Sequence, residues 1–168
     1  MKRLILIVGV VSLGSWQAAC GGGKKTECGP LEVTVDGKPV TGLTHGYAIT
    51  HKRAGELTQQ VEVFNHEAKC EELVSRKGRS VPDGEQAVRA FTGGSGMMGQ
   101  GVGIESHTQM GVDVALMGEA PKNPGDKVAL CVSDASFKPA IGDYKDKAVV
   151  VKGKLEGTYC GVMDWDAE

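Results

Sequence analysis

The sequence has no block of basic residues, no long helical period, no internal repeat and no linker to a second domain. Without a basic stripe to track a phosphate backbone, nucleic acid is excluded as a partner. Without apolar residues at helical spacing, a helix bundle is excluded. The strongest apolar run, Leu4 to Gly14, is eleven residues long. A membrane-spanning helix needs about twenty, so a multi-span membrane protein is excluded as well. Aromatic residues make up only 5% of the 168-residue chain, against 24% charged and 40% hydrophobic, a balance that suits one soluble domain behind a processed leader. Glycine is abundant instead, with 25 residues, and implies many turns and short strands. The formal charge of −2 becomes more negative if residues 1–19 are removed, because they hold Lys2 and Arg3 and no acid.

Met1-Lys2-Arg3 forms a short positive segment ahead of the apolar run LILIVGVVSLG. Small residues Ala18 and Ala19 follow, and then Cys20. This arrangement resembles the signal peptide of bacterial lipoproteins, with Ala18-Ala19-Cys20 as the lipobox and Gln17 where an apolar residue is usual. The resemblance covers about the first 25 residues. It implies that diacylglycerol is attached to the Cys20 sulfur and that the leader is cut just before it. It also implies export, a lipid anchor in the bacterial membrane and, with Gly21 rather than Asp after the cysteine, sorting to the outer membrane. The alternative is an uncleaved anchor, since residues 4–20 carry no charge. The expected organisation is a signal peptide over 1–19, a lipidated cysteine and flexible tether over 20–27, and one domain over 28–168. The tether Gly21 to Glu27 spans at most about 25 Å, which holds the domain close to the bilayer.

Cysteine parity supports the same reading. Lipidation of Cys20 leaves Cys28, Cys70, Cys131 and Cys160, an even number, in a compartment where disulfides form and persist. Four cysteines allow three pairings, and the sequence does not choose among them. One of them, Cys28 with Cys160 and Cys70 with Cys131, would tie the ends of the domain together.

The domain reads as strands and turns. Leu31 to Val35 alternates apolar with polar residues and is followed by the hairpin dipeptide Asp36-Gly37. Strands are expected over 45–52 and 57–64, joined near Ala54-Gly55, and then over 87–92, 101–106, 112–117, 128–133, 148–152 and 155–160. A polar turn is expected between the strands near 104 and 112, and a short helix over 71–77. About eight or nine short strands at this spacing argue an all-β fold, a single antiparallel β-sandwich of which the immunoglobulin domain is one form. The acidic end from Asp164 to Glu168 is expected to be solvated.

Several constellations carry chemistry on paper. Gly94-Ser95-Gly96-Met97-Met98-Gly99 spells GxGxxG, but further glycines and alternating Val102 and Ile104 follow, so no helix opens there to hold a pyrophosphate. Gly99, Gly101 and Gly103 would form a stripe without side chains on one strand face, permitting close backbone approach. Met97, Met98, His107 and Met110 are soft ligands of the kind that suit Cu(I), which makes copper the one cofactor with any residues in its favour. Met117 reads as a core residue. His45 and His51 share a strand face but sit about 20 Å apart at about 3.3 Å per residue, too far to share an ion. Ser95, His107 and Asp113 are individually competent for hydrolysis, yet their spacing selects no triad.

The function expected from sequence is therefore a membrane-anchored envelope lipoprotein whose β-rich domain binds another envelope protein or a polysaccharide, rather than an enzyme. Tyr47, Phe64, Trp165 and the glycine stripe are its candidate contact residues. The alternatives are a Cu(I)-handling lipoprotein built on the Met/His cluster and an envelope hydrolase.

Overall fold

Two dipeptides set the first hairpins. Asp36 and Gly37 have φ of 50° and 75°, and Ala54 and Gly55 have φ of 52° and 77°. Positive φ at both central residues matches the right-handed twist of the flanking strands, as in a type I′ turn. In the computed structural model, which describes residues 28–75, 86–93, 99–104 and 107–167, these turns join β1 (Glu32–Val35) to β2 (Lys38–Pro39) and β3 (His45–Arg53) to β4 (Glu56–Phe64). The chain continues through the helix α1 (Cys70–Leu73), β5 (Ala87–Phe91), β6 (Gly101–Ile104), β7 (His107–Met110), β8 (Val114–Met117), β9 (Lys127–Phe137) and β10 (Val149–Asp164). The domain is all-β, as its alternation predicted.

The strands form one mixed sheet in the order β2-β1-β10-β3-β4-β5-β6-β7, with β9 on the other side of β10 and β8 beyond it. β10 belongs to two limbs. Its residues 149–158 pair antiparallel with β9, and 149–152 also pair with β1. Its last part, Thr158 to Asp164, runs parallel to β3. The sheet is therefore mixed rather than wholly antiparallel. One core cluster draws Val33, Leu130 and Leu155 from one limb and Val61, Val88 and Val102 from the other, so the limbs close over a shared interior.

Glycines explain why two expected strands, 148–152 and 155–160, are one. At Gly153 (φ 94°) the pairing with β9 shifts register, and a Cβ there would run into the Pro30 carbonyl oxygen. The missing side chain lets the strand bend without ending. At Gly157 a Cβ would lie 2.6 Å from the Tyr47 backbone, so only glycine admits β3 alongside. A second shift follows: Tyr159 pairs with Ala48 and Gly161 with Ile49, which leaves Cys160 as the extra residue of a bulge.

That bulge re-aims the strand toward a second, smaller cluster of Ile49, Phe64, Leu73, Ala87 and Met163, with Cys160 at its margin. The disulfides are Cys28–Cys131 and Cys70–Cys160, with Cα separations of 5.9 and 5.1 Å. They replace the end-to-end arrangement of Cys28 with Cys160. Cys28 lies two residues before Pro30, which bridges to Lys154, and Lys154 is the β10 partner of Cys131. Cys160 instead sits where α1 begins at Cys70.

Candidate functional site

Both ends of β10 present polar features. At its start, the β1–β2 hairpin faces the loop that enters β10 across a groove of about 440 Å³. The hairpin wall is tied to that loop: Asp36 N donates to the Ala148 carbonyl at 2.7 Å, and Ala148 N donates to Asp36 Oδ1 at 2.8 Å. The loop wall is braced by Asp146 N to the Pro139 carbonyl (2.8 Å) and Lys147 N to the Tyr144 carbonyl (3.0 Å). Gln86 closes the back, and its backbone is pinned by Asn65 in both directions, at 2.9 and 3.1 Å. Lys147 Nζ donates to the Asp143 carbonyl at 3.0 Å and lies 5.4 Å from the Tyr144 ring centroid. Lys38, Thr41 and the Gln86 amide line the same groove.

At the far end a polar chain crosses the outer face of β3 and β4. Trp165 Nε1 donates to His51 Nδ1 at 3.1 Å, and His51 Nε2 stands 3.2 Å from Gln60 Oε1. Gln60 Nε2 reaches Glu62 at 3.5 Å. Burial chiefly pushes the His51 imidazole below its ordinary value, the Gln60 bond opposes this, and the Arg89 charge adds to it. The acidic end is not simply solvated. Asp166 accepts from Ala54 N and Gly55 N at 2.8 and 3.2 Å, Asp164 pairs with Lys52 at 2.8 Å, and Trp165 N donates to the Lys52 carbonyl at 2.8 Å. This clasp holds the Lys52 ammonium above its usual range and the Asp164 carboxyl below its own.

The glycine stripe resolves into packing. Gly101 and Gly103 pair with Phe91 and Arg89 across β5–β6, and a Cβ at Gly101 would meet the Phe91 ring at 2.5 Å. At Gly103 it would meet Arg89 Nε at 2.7 Å. The bare backbone is covered by β5's own side chains. Of the expected contact residues, Phe64 is fully buried, Tyr47 accepts the Ala68 amide through its hydroxyl (3.2 Å), and Trp165 remains 43% exposed.

Of the soft-ligand set, Met97 and Met98 lie outside the described residues, as do Ser95 and Cys20. β7 puts His107 and Met110 on opposite faces. His107 pairs with Ile104 of the core and stacks on Phe137 at 5.6 Å, whereas Met110 pairs with Gly101 and is 41% exposed. A strand alternates faces residue by residue, so these two do not converge on one ion. His107 Nε2 is buried with no hydrogen-bond partner among the described residues. Asp113 is exposed and accepts the Ser133 hydroxyl at 3.2 Å, away from His107. Met117 is half-buried against Ala129. His45 and His51 do share one face of a regular strand, with Tyr47 and Ile49 between them.

The groove was not legible in the sequence, because its walls come from three segments and no local spacing links them. Comparison of the chain with protein families, curated proteins and solved structures finds no match.

Proposed function

We propose that the chain is an exported lipoprotein of the bacterial cell envelope, lipid-anchored through Cys20 and sorted to the outer membrane, whose domain serves as a binding module. Its two limbs are layered as a β-sandwich on a short tether. One observation carries the reading: the disulfides Cys28–Cys131 and Cys70–Cys160 use every cysteine except Cys20. Paired cysteines belong to an oxidising compartment, and the remaining one stands where lipid would be attached. The groove at the start of β10 is the candidate binding surface. The partner is an envelope polysaccharide or protein.

The test is membrane fractionation of wild-type and Cys20→Ser protein, with the intact mass of the extracted wild type. Release of the variant into the soluble fraction, and a wild-type mass equal to the chain from Cys20 plus acyl groups, support the anchor. A Cys20→Ser protein that stays with the membrane overturns it and points to the uncleaved segment.

A further inference from the structure

The geometry points to the groove between the β1–β2 hairpin and the loop entering β10 as a binding site for a carboxylate-bearing saccharide chain. This rests on the envelope binding module proposed above and names its ligand class.

Four features lead there. Charge comes first. Lys38 and Lys147 line the groove, and neither has an ion-pair partner among the described residues, whereas Lys52, Lys152 and Lys154 are each paired with a carboxylate. Asp36 is the one acid among the described lining residues, and its Oδ1 accepts the Ala148 amide. On a chain of formal charge −2, two ammonium groups against the single Asp36 carboxylate leave the described lining net positive, a local reversal of sign.

Second, the cations are lysines. Among the described residues no arginine lines the groove, so none of them offers the planar fork that grips a phosphate or carboxylate through two parallel bonds. Two separate point charges suit carboxylates spaced along a chain. Third, the neutral donors and acceptors are those that meet hydroxyl groups. Thr41 and Gln86 line the groove with side chains that have no hydrogen-bond partner among the described residues, beside Pro39 and the Tyr144 ring that carries Lys147 Nζ. An aromatic ring next to polar groups matches a sugar, which has one C–H face and an equatorial fringe of hydroxyls.

Fourth, the walls are preformed. The Asp36–Ala148 bonds, the turn at Asp36-Gly37 and the Asn65–Gln86 bonds fix three sides before any ligand arrives. A volume of about 440 Å³ fits a few sugar units. Little ordering is then required on binding.

The experiment titrates the full-length protein, purified in detergent, with three probes: a hexamer of galacturonate, its methyl ester, and a hexaglutamate peptide. Amide chemical shifts and calorimetry report binding. The galacturonate should bind with shifts at residues 36–41 and 144–147, and esterification should weaken it about tenfold or more, the loss expected when charge-assisted contacts become neutral. Lys38→Gln combined with Lys147→Gln should do the same. Gln86→Ala and Thr41→Ala leave the walls intact and should each weaken the sugar about threefold without altering the peptide. Absence of galacturonate binding overturns the proposal. So does equal binding of ester and acid, or hexaglutamate binding as tightly while Gln86→Ala has no effect, which would make this a site for acidic peptides. Failure of the anchor is read separately: a Cys20→Ser protein that remains in the membrane yet binds galacturonate retains the groove and loses only the lipoprotein reading.

Discussion

The indole N–H of Trp165 donates to Nδ1 of His51 across 3.1 Å, which fixes that imidazole as an acceptor on one side. Its proton then belongs on Nε2, facing Gln60 Oε1 at 3.2 Å. A second proton would turn Nδ1 into a donor opposite another donor, next to the Arg89 charge. The other charged groups facing this corner are Glu62, reached through Gln60, and the Lys52–Asp164 pair with Asp166 beneath the indole. Burial lowers the folded-state pKa of His51 below its unfolded value. The unfolded chain thus binds more protons just below that value, and stability rises with pH there. The contribution is complete above about pH 6.5 and is lost as pH falls through and below it. We expect the Trp165 indole proton, relative to its intrinsic exchange rate at each pH, to be better protected at pH 8 than at pH 5, with an unfolding midpoint that falls over the same range. His51→Gln should flatten that slope. An unchanged slope in the variant would assign the effect elsewhere.

A second acid-side loss lies lower. Asp164, Asp126 and Glu156 all have carboxyls held below their usual values, by the Lys52 bond, by backbone amides at Asn123 and Lys122, and by the Lys154 bond respectively. Their stabilisation is present above the unfolded carboxylate range and disappears as pH falls through the folded values. Acid titration of His51→Gln should therefore retain a transition below about pH 4 while losing the one near neutrality.

Gly101 and Gly103 separate two kinds of crowding. A methyl group at Gly101 meets the Phe91 ring at 2.5 Å and the Gln109 carbonyl at 2.6 Å, neither of which can swing aside. At Gly103 its neighbours are Arg89 Nε at 2.7 Å, on a flexible side chain, and the His107 carbonyl oxygen at 3.0 Å. Overpacking of the first kind costs about 1–3 kcal/mol. The second is offset by the reduced freedom of the unfolded chain, about 0.4–1 kcal/mol. Gly101→Ala should lower the denaturant midpoint clearly, and Gly103→Ala should lower it less. Equal losses would mean that the β6–β7 backbone, not the β5 side chains, sets the limit.

Much of this fold was legible because its signals are local. The Asp36-Gly37 and Ala54-Gly55 turns announce hairpins, and both are present with positive φ. The strand over 87–91 follows from Val88 and Ala90 facing inward. What escaped is long-range. β7 reads HTQM, a polar edge strand whose residues are half-buried or exposed, so no apolar alternation marks it. The parallel β3–β10 pair and the bulge at Cys160 depend on contacts more than a hundred residues apart in sequence. Trp165 and Asp166 looked like a solvated end because their partners, His51 and the Ala54-Gly55 turn, are far along the chain.

The Cys70–Cys160 bridge closes a loop of 90 residues and staples α1 to the bulge of β10. The entropy removed from the unfolded chain sets an upper figure of about 4.6 kcal/mol for a loop of that length, and disulfides typically deliver about 2–4 kcal/mol. Cys70→Ser with Cys160→Ser should cost that much in chemical unfolding, and amide protection should fall in β8 and β9 as well as beside α1. The Cys28–Cys131 bridge should behave independently, since it anchors the other limb. Losses that fail to add in the quadruple variant would show that the bridges act on one shared step of unfolding.

Leu130 tests whether the two limbs form one cooperative unit. It is fully buried in the cluster that also holds Val61, Val88 and Val102, whereas Leu57 is 60% exposed at the tip of the β3–β4 hairpin. Truncating a buried leucine costs about 2–5 kcal/mol, through lost transfer energy and the cavity left behind. Leu57→Ala should stay within about 0.5 kcal/mol. Because β10 pairs with β9 over one stretch and with β3 over the next, destabilisation at β9 has a covalent and a packed route to β4 and β5. Hydrogen exchange of Leu130→Ala should therefore accelerate at the amides of Val61 and Val88 by the same factor as at Val128 and Val132. Acceleration confined to β8 and β9 would show that the limbs open separately, and that the shared core does not bind them into one folding unit.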